Sequence, residues 1–324
     1  MTNERKPLVQ VKNLCKYFQV SKKETLMAVD DVSFNIYEGE TVGLVGESGC
    51  GKSTTGRCIV KLYNPTKGKI LYKDNDIFNA TNKEEKLEYC RNTQMIFQNP
   101  YSSLNPRMTV KDIVGEGIRL HEKISVKELD LKIEDLLKTV GLNRDHMSRF
   151  PHEFSGGQRQ RIGIARALSV NPKFIVCDEP ISALDVSIQA QVLNMLKKLQ
   201  KERGLTFLFI AHDLSVVKYI SDKVIVMYLG IIAEEAEANE LYKNPLHPYT
   251  KALLSAIPEA DPNKSKTKER IKLKGEIPSP INPKECCRFV ERCNYAKPIC
   301  YKEIPKLKSI EQSNIKHKIA CHLY

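Results

Sequence analysis

Tryptophan is absent from the 324 residues, aromatic residues of all kinds make up only 7%, and no apolar stretch approaches the roughly 20 residues that a bilayer-spanning helix needs. The opening residues Met1-Thr2-Asn3-Glu4-Arg5-Lys6 are not followed by an apolar signal region. The sequence therefore predicts a chain that stays in the cytosol unless something holds it elsewhere. Acidic residues are the minority, 39 against 51 Lys and Arg, for a net charge of +12. Such a balance would suit nucleic acid, but zinc-finger, RNA-recognition and helix-turn-helix patterns are all missing, and no nucleic-acid partner is expected. The same charge fits docking beside an anionic cytoplasmic leaflet, at about 1 kcal/mol per nearby basic residue, or an ordinary lysine-rich solvated surface. Internal repeats are not evident. Length and composition indicate a soluble enzyme with a core of about 250 residues and an appendage.

What is present is a set of short segments that look like one dispersed nucleotide site. Gly46-Glu47-Ser48-Gly49-Cys50-Gly51-Lys52-Ser53, with Thr54 after it, fits a phosphate-binding loop. It follows the apolar run 42–45 and precedes a helix expected from Lys52 towards Leu62, the strand, loop and helix context that the pattern requires. Glycines let successive backbone N–H groups turn inward at phosphate oxygens, and the helix start adds partial positive charge. Lys52 is placed to reach the β- and γ-phosphates, and the Ser53 hydroxyl to ligate Mg²⁺.

A second apolar run, Phe174-Ile175-Val176-Cys177, reads as a buried parallel strand that delivers Asp178 and Glu179 at its C-terminal edge. Asp178 is expected to hold Mg²⁺, and Glu179 to be the general base that polarises the attacking water. A third run, 205–211, ends at His212. Alone, a histidine there reads as structural; at the C-terminal edge of a strand in an open α/β sheet it reads as a γ-phosphate contact.

With these segments in view, the chain resembles the nucleotide-binding subunit of an ATP-binding cassette transporter. Phe154-Ser155-Gly156-Gly157-Gln158 matches the signature motif of that family, with Phe where Leu is commoner. The resemblance implies that Gln98 lies in the loop that ligates Mg²⁺ and senses the membrane partner. It likewise implies that Ser182-Ala183-Leu184-Asp185 crosses a dimer interface, and that Phe18 stacks on adenine, with Tyr17 as the adjacent competitor. Ser155, Gly156, Gly157 and Gln158 are expected at a helix N-terminus, a good anion site, yet the family places them far from their own phosphate loop. Two subunits are then expected head to tail with ATP between them: binding closes the pair and product release opens it.

The fold implied is α/β: a P-loop NTPase core of the ATP-binding cassette type, RecA-like with an N-terminal antiparallel β region, an inserted helical signature subdomain and a small Cys-rich C-terminal extension. Residues 6 to about 90 carry short β-type runs such as 8–11 and 29–36. Residues from about 95 to 165 are richer in helical pattern, for example Leu129, Leu131, Ile133, Leu136, Leu137 and Val140. Returning β/α units run from 174 to about 238, with Ile188, Val192, Met195 and Leu199 at helical spacing and Gly204 as a stop. The ATPase domain is read as 6–260, its helical subdomain as about 98–165, a polar linker as 261–274, and the extension as the remainder to 324. The stretch 244–258, NPLHPYTKALLSAIP, and the extended segment Gln98-Asn99-Pro100-Tyr101-Ser102-Ser103-Leu104-Asn105-Pro106 resemble the oligopeptide and dipeptide importer branch, within which the chain looks like the F-type ATPase. That implies a similar but distinct D-type ATPase as heterodimer partner, two transmembrane permease subunits, an extracytoplasmic peptide-binding protein, and a peripheral place on the cytoplasmic face of the cell membrane. A nickel or other solute importer, and a soluble cassette ATPase outside transport, stand as alternatives.

Five of the ten cysteines, Cys286, Cys287, Cys293, Cys300 and Cys321, fall within the last 39 residues, where even scattering would put about one. Cytosolic thiols stay reduced, which disfavours a disulfide. The spacing C-x5-C-x6-C-x20-C from Cys287 matches no common zinc ribbon, but four thiolates suffice for a [4Fe–4S] cluster or a tetrahedral zinc. The resemblance adds a Cys-rich tail that in some members binds such a cluster, and Cys287-Arg288-Phe289 fits its C-x-F pattern, making Cys286 a bystander. Iron–sulfur, zinc and no metal stay open, as does His322 as a replacement ligand.

Overall fold

The computed structural model describes residues 6–79, 82–257, 270–310 and 317–324. The strands in chain order are β1 (Pro7–Gln19), β2 (Thr25–Tyr37), β3 (Thr41–Val45), β4 (Lys67–Tyr72), β5 (Asn75–Asp76), β6 (Thr93–Ile96), β7 (Phe174–Asp178), β8 (Thr206–Ala211), β9 (Lys223–Tyr228), β10 (Ile231–Glu237), β11 (Lys308–Ile310) and β12 (His317–Ile319). The helices are α1 (Lys52–Ile59), α2 (Lys83–Asn92), α3 (Pro100–Ser103), α4 (Val110–His121), α5 (Val126–Thr139), α6 (Gly156–Leu168), α7 (Val186–Arg203), α8 (Leu214–Ile220), α9 (Ala238–Lys243) and α10 (Pro248–Ser255). No described helix is long and apolar enough to cross a membrane.

One compact unit takes in Tyr37–Glu40 and Asp76–Ile210. Its strands run parallel in the order β8-β7-β6, Phe174 opposite Thr206 and Thr93 opposite Phe174. Every residue of β7 is buried, as expected of a strand covered on both faces. Around it, α4, α5 and α6 form the helical region. Ser125 caps α5 through a reciprocal pair with Glu128, and the helix buries Leu129, Ile133, Leu136 and Leu137. Leu131, expected on that stripe, is instead 64% exposed, because it sits two positions off the i, i+4, i+7 row that faces inward. In α7 the inward face is Val192, Leu193, Leu196 and Leu199, with Ile188 and Met195 only half-buried, and Gly204 ends the helix at φ 62 as expected.

The other unit takes in Pro7–Ile36, Thr41–Asn75 and the described residues of Ala211–Tyr324. One sheet has the order β2-β1-β4-β5, with β1 and β4 antiparallel. The other strands run β11-β12-β10-β9-β3; β3 is parallel to β9, and the β9, β10, β12 and β11 neighbours pair antiparallel. Glu234 on β10 is fully buried and accepts from the backbone N–H groups of Leu246 (2.7 Å) and His247 (3.0 Å) and faces His317 Nε2 on β12 at 2.7 Å. One carboxylate thus ties the sheet to the turn before α10 and to the final strand. The helix after the phosphate loop ends at Ile59 rather than near Leu62. Lys61 turns left-handed at φ 60, and the N–H groups of Leu62 and Tyr63 return to Arg57 O, closing the helix end. Of the expected linker 261–274, residues up to 269 lie outside the described residues, as does Pro258.

Candidate functional site

In the second unit, β3 is buried along its whole length and delivers the chain into the turn 46–51. Gly46 (φ 153) and Gly51 (φ 103) are held so tightly that an added Cβ would stand 2.2 Å from Met227 O and 2.1 Å from Ala28 O. Gly49 (φ 79) has open space around it, so its conformation alone calls for glycine. Gly51 opens α1 with no side-chain cap, which leaves the first turn of N–H groups directed at the loop mouth, the arrangement that suits an anion. Lys52 is 4% exposed and folds back over its own loop, donating to Gly46 O (2.8 Å) and Glu47 O (2.9 Å). The ammonium rests on these carbonyls and on the Cys50 sulfur at 3.7 Å, neutral partners that it can exchange for phosphate oxygens. Ser48 and Gly49 are exposed, and Ser53 and Thr54 half-buried.

Glu47 is the residue whose surroundings the sequence does not reveal. Its N–H donates to Tyr249 Oη at 2.9 Å, and its carboxylate receives both arms of the Arg292 guanidinium at 2.7 and 3.1 Å. Nothing local marks Arg292; only the C-x-F pattern a few residues earlier pointed to that segment. Cys50 is buried beside Lys52, and burial pushes its thiol up against the opposing pull of the ammonium.

Tyr17 and Phe18 separate cleanly. The Tyr17 hydroxyl donates to Asp30 at 2.5 Å, and burial followed by that hydrogen bond raises its pKa. The Phe18 ring meets Tyr63 edge-on at 5.6 Å, with Lys16 Nζ 4.8 Å from its centroid. His212 is exposed immediately after β8.

In the first unit, β7 carries Asp178 to its end fully buried. Glu179 follows at φ 46, a left-handed conformation costly for a non-glycine residue and typical of functional turns. Its N–H is held by Ile210 O at 3.0 Å, and its Oε2 accepts from Gln98 Nε2 at 2.7 Å. The structure therefore joins two predicted residues that lie 81 positions apart. Ser182 Oγ closes the turn by donating to Glu179 O at 3.1 Å, and Asp185 opens α7 without a side-chain cap bond.

The signature residues open α6 as expected. Ser155 caps the helix, accepting from Gln158 N, while Gln158 Oε1 accepts from Ser155 N at 3.0 Å. Phe154 is buried edge-on to His146 at 5.3 Å, which accounts for an aromatic anchor at that position. A Cβ at Gly157 would stand 2.7 Å from Ile188, so packing within the chain requires that glycine. At Gly156 the closest atom would be Tyr101 Oη at 3.7 Å, ordinary contact, so nothing within the chain demands glycine there.

The cysteine tail departs from the tetrathiolate expectation. Among the described residues, no group of three or more His, Cys, Asp or Glu side chains is arranged to hold a metal ion. Cys287, Cys293, Cys300 and Cys321 are nonetheless near enough to influence one another. The Cys287 thiol is pushed up to about 12, first by burial and then by the other three. Cys293 and Cys321 are raised as well, burial again leading. Cys293 Sγ accepts from Tyr295 N and Cys300 Sγ from Lys297 N, both at 3.4 Å. Cys286 and Cys300 pack on Val290, and Cys286 Sγ faces Cys287 O. His322 Nε2 sits 3.1 Å from Glu303 O.

A family model described as ABC transporter matches residues 29–182, and one described as oligopeptide/dipeptide transporter, C-terminal region, matches residues 233–300. The oligopeptide transport ATP-binding protein OppF of Bacillus subtilis is 60% identical over 266 residues, covering 82% of this chain and 87% of that protein. The oligopeptide transport ATP-binding protein AppF of the same organism is 52% identical over 323 residues, covering 98% and 97%. Among solved structures, a dimeric post-hydrolysis state of an ATP-binding cassette bound to ADP and phosphate is similar with a TM-score of 0.65 at 30% identity, covering 71% of this chain and 98% of that one.

Proposed function

Because this chain belongs to the ABC transporter ATPases that carry an oligopeptide/dipeptide transporter C-terminal region, we propose that it is the ATP-hydrolysing subunit that powers import of oligopeptides. The observation that carries the reading is the phosphate loop, an uncapped helix start facing a glycine-hinged turn with a retractable lysine. In this reading Lys52 and the N–H groups of 46–54 take the phosphates, and Ser53, Asp178 and Gln98 hold the Mg²⁺ that neutralises developing charge on the γ-phosphoryl group. Glu179 accepts a proton from the attacking water, and His212 contacts the γ-phosphate. The commitment of the Tyr17 hydroxyl to Asp30 supports Phe18 as the ring under adenine.

Ser155, Gly156, Gly157 and Gln158 serve the ATP of a second ATPase subunit, and Ser182 and Asp185 line the interface. The uncrowded Gly156 supports that role, because the space over the helix start is left open to a ligand from outside the chain. Residues 6–260 act as the ATPase domain, with 98–165 as its helical signature region, and 261–324 form the linker and extension. The partner is a similar D-type ATPase, and the pair sits on the cytoplasmic face of the membrane against two permease subunits that receive peptide from a separate binding protein. Reconstitution of the chain with those subunits should give ATPase activity that rises with peptide and its binding protein. An ATPase rate indifferent to both would overturn the import reading.

A [4Fe–4S] cluster in the tail is supported by the mutual proximity of the four thiols and not by their present arrangement, since ligation requires them to lose protons and converge on one point. Iron, sulfide and zinc analysis after anaerobic purification decides it. Bound iron lowered by serine at Cys287, Cys293, Cys300 or Cys321 is the expected result, and absence of metal discards the cluster.

A further inference from the structure

Arg292 and Glu47 are 245 positions apart, yet they form a forked ion pair at 2.7 and 3.1 Å inside the second unit. The Arg292 side chain is 8% exposed and that of Glu47 is 23%. Arg292 Nη1 also lies 3.4 Å from Tyr228 Oη. The same short turn of the Cys-rich segment supplies Phe289, whose ring packs against Tyr228 (5.2 Å), Tyr249 (5.5 Å) and His247 (5.6 Å). Tyr249 in turn accepts the Glu47 N–H. Glu47 is thus gripped twice, at its amide and at its carboxylate, by the C-terminal half of the chain. One turn earlier, Arg288 pairs with Asp30 at 2.6 Å, and Asp30 is also the acceptor for Tyr17, the neighbour of Phe18.

Stability alone is a weak reason for such a pair. Withdrawing a guanidinium and a carboxylate from water costs about as much as their attraction returns, and apolar residues of similar size usually do as well or better. Position supplies a better reason. Glu47 is the second residue of a loop built to receive a polyphosphate, and an unrestrained carboxylate there would repel the ligand and let the loop mouth wander. A guanidinium fork fixes both oxygens in one plane and cancels their charge, which a single ammonium cannot do.

Resting on the ATP-binding reading of 46–54, we infer that Arg292 is a positioning residue of the phosphate loop, and that the Cys-rich extension braces ATP binding by holding Glu47 turned away from the nucleotide. Arg292 touches neither phosphate nor water in the reaction; it acts through Glu47.

The test is a double-mutant cycle read by titration calorimetry with a non-hydrolysable ATP analogue, together with steady-state ATPase kinetics on the assembled transporter. R292A should weaken analogue binding by roughly tenfold and raise the KM for ATP while changing kcat much less, the split expected when ground-state binding is lost. R292K, which keeps the charge and loses the fork, should fall between R292A and the parent. E47Q removes the charge that Arg292 restrains, so adding R292A to E47Q should cost less than about twofold. An equal loss from R292A with and without E47Q would overturn the inference, because Arg292 would then act by some route other than Glu47. Analogue binding by R292A equal to that of the parent would overturn it too. A parent chain that binds no ATP analogue would bring down the nucleotide reading itself, an outcome distinct from either of these.

Discussion

At the scale of single residues, the chemistry concentrates where backbone is strained or crowded. Gly46 and Gly51 sit where a Cβ would strike a carbonyl oxygen, and Glu179 takes a left-handed conformation that a non-glycine residue adopts at a cost. Gln98 Nε2 donates to the Glu179 carboxylate that this left-handed residue presents. Glu179→Gln keeps size and shape and removes basicity. We expect it to retain ATP binding and to lower turnover by roughly 10²- to 10⁴-fold, the usual worth of a general base. Turnover within a few-fold of the parent would remove Glu179 from that role. Glu179 and Asp178 were legible in the sequence because an apolar run followed by two acids is a local pattern. The Gln98 bond was not, because it joins positions 81 apart and depends on how β6 and β7 pair.

At the scale of elements, α10 carries the clearest consequence of burial. His247 is its N-cap, with Nδ1 accepting from Tyr249 N at 3.0 Å, and the ring is 3% exposed. Desolvation drives its pKa down from 6.5 to about 4, with the opposing Glu234 carboxylate recovering only part. The folded chain therefore holds this histidine neutral, while the unfolded chain protonates it between about pH 6.5 and 4. Protons then favour the unfolded state, so stability is complete above pH 6.5, falls as pH drops through that window and levels off below 4, by about 3 kcal/mol in all. His247→Asn preserves a capping side chain without the titration, so its stability should start lower but decline less between pH 7 and 4.5 in thermal or denaturant unfolding. Parallel declines for the two proteins would show that other groups govern the acid limb. The sequence singled out the stretch around Pro248 as a motif and not as a helix, and the burial of its cap was not legible either, because it arises from Phe289 packing over the ring and Glu234 lying beneath the turn.

At the scale of the whole molecule, the signature residues cap their own helix. Ser155 and Gln158 satisfy each other, and Gly156 is free of crowding. Ser155→Arg should leave ATP binding by the isolated chain within about twofold of the parent while sharply reducing hydrolysis by the assembled pair. Ser155→Ala, which loses only the cap at about 1 kcal/mol, separates helix damage from site damage. Loss of ATP binding by the isolated Ser155→Arg chain would argue that signature and phosphate loop serve one molecule's nucleotide.

The amino-acid order alone determined which chemistry this chain carries. Phosphate loops, strand-end acids and helix caps are made by residues adjacent in the chain, with backbone N–H groups as the principal ligands, so their function is written in a few consecutive positions. What restrains that chemistry emerges once the chain has folded: Arg292 on Glu47, Gln98 on Glu179, Tyr17 on Asp30, and four tail thiols that gather without converging on a metal site. Each depends on where distant segments come to rest, which is set by the summed burial of many side chains and not by any local pattern.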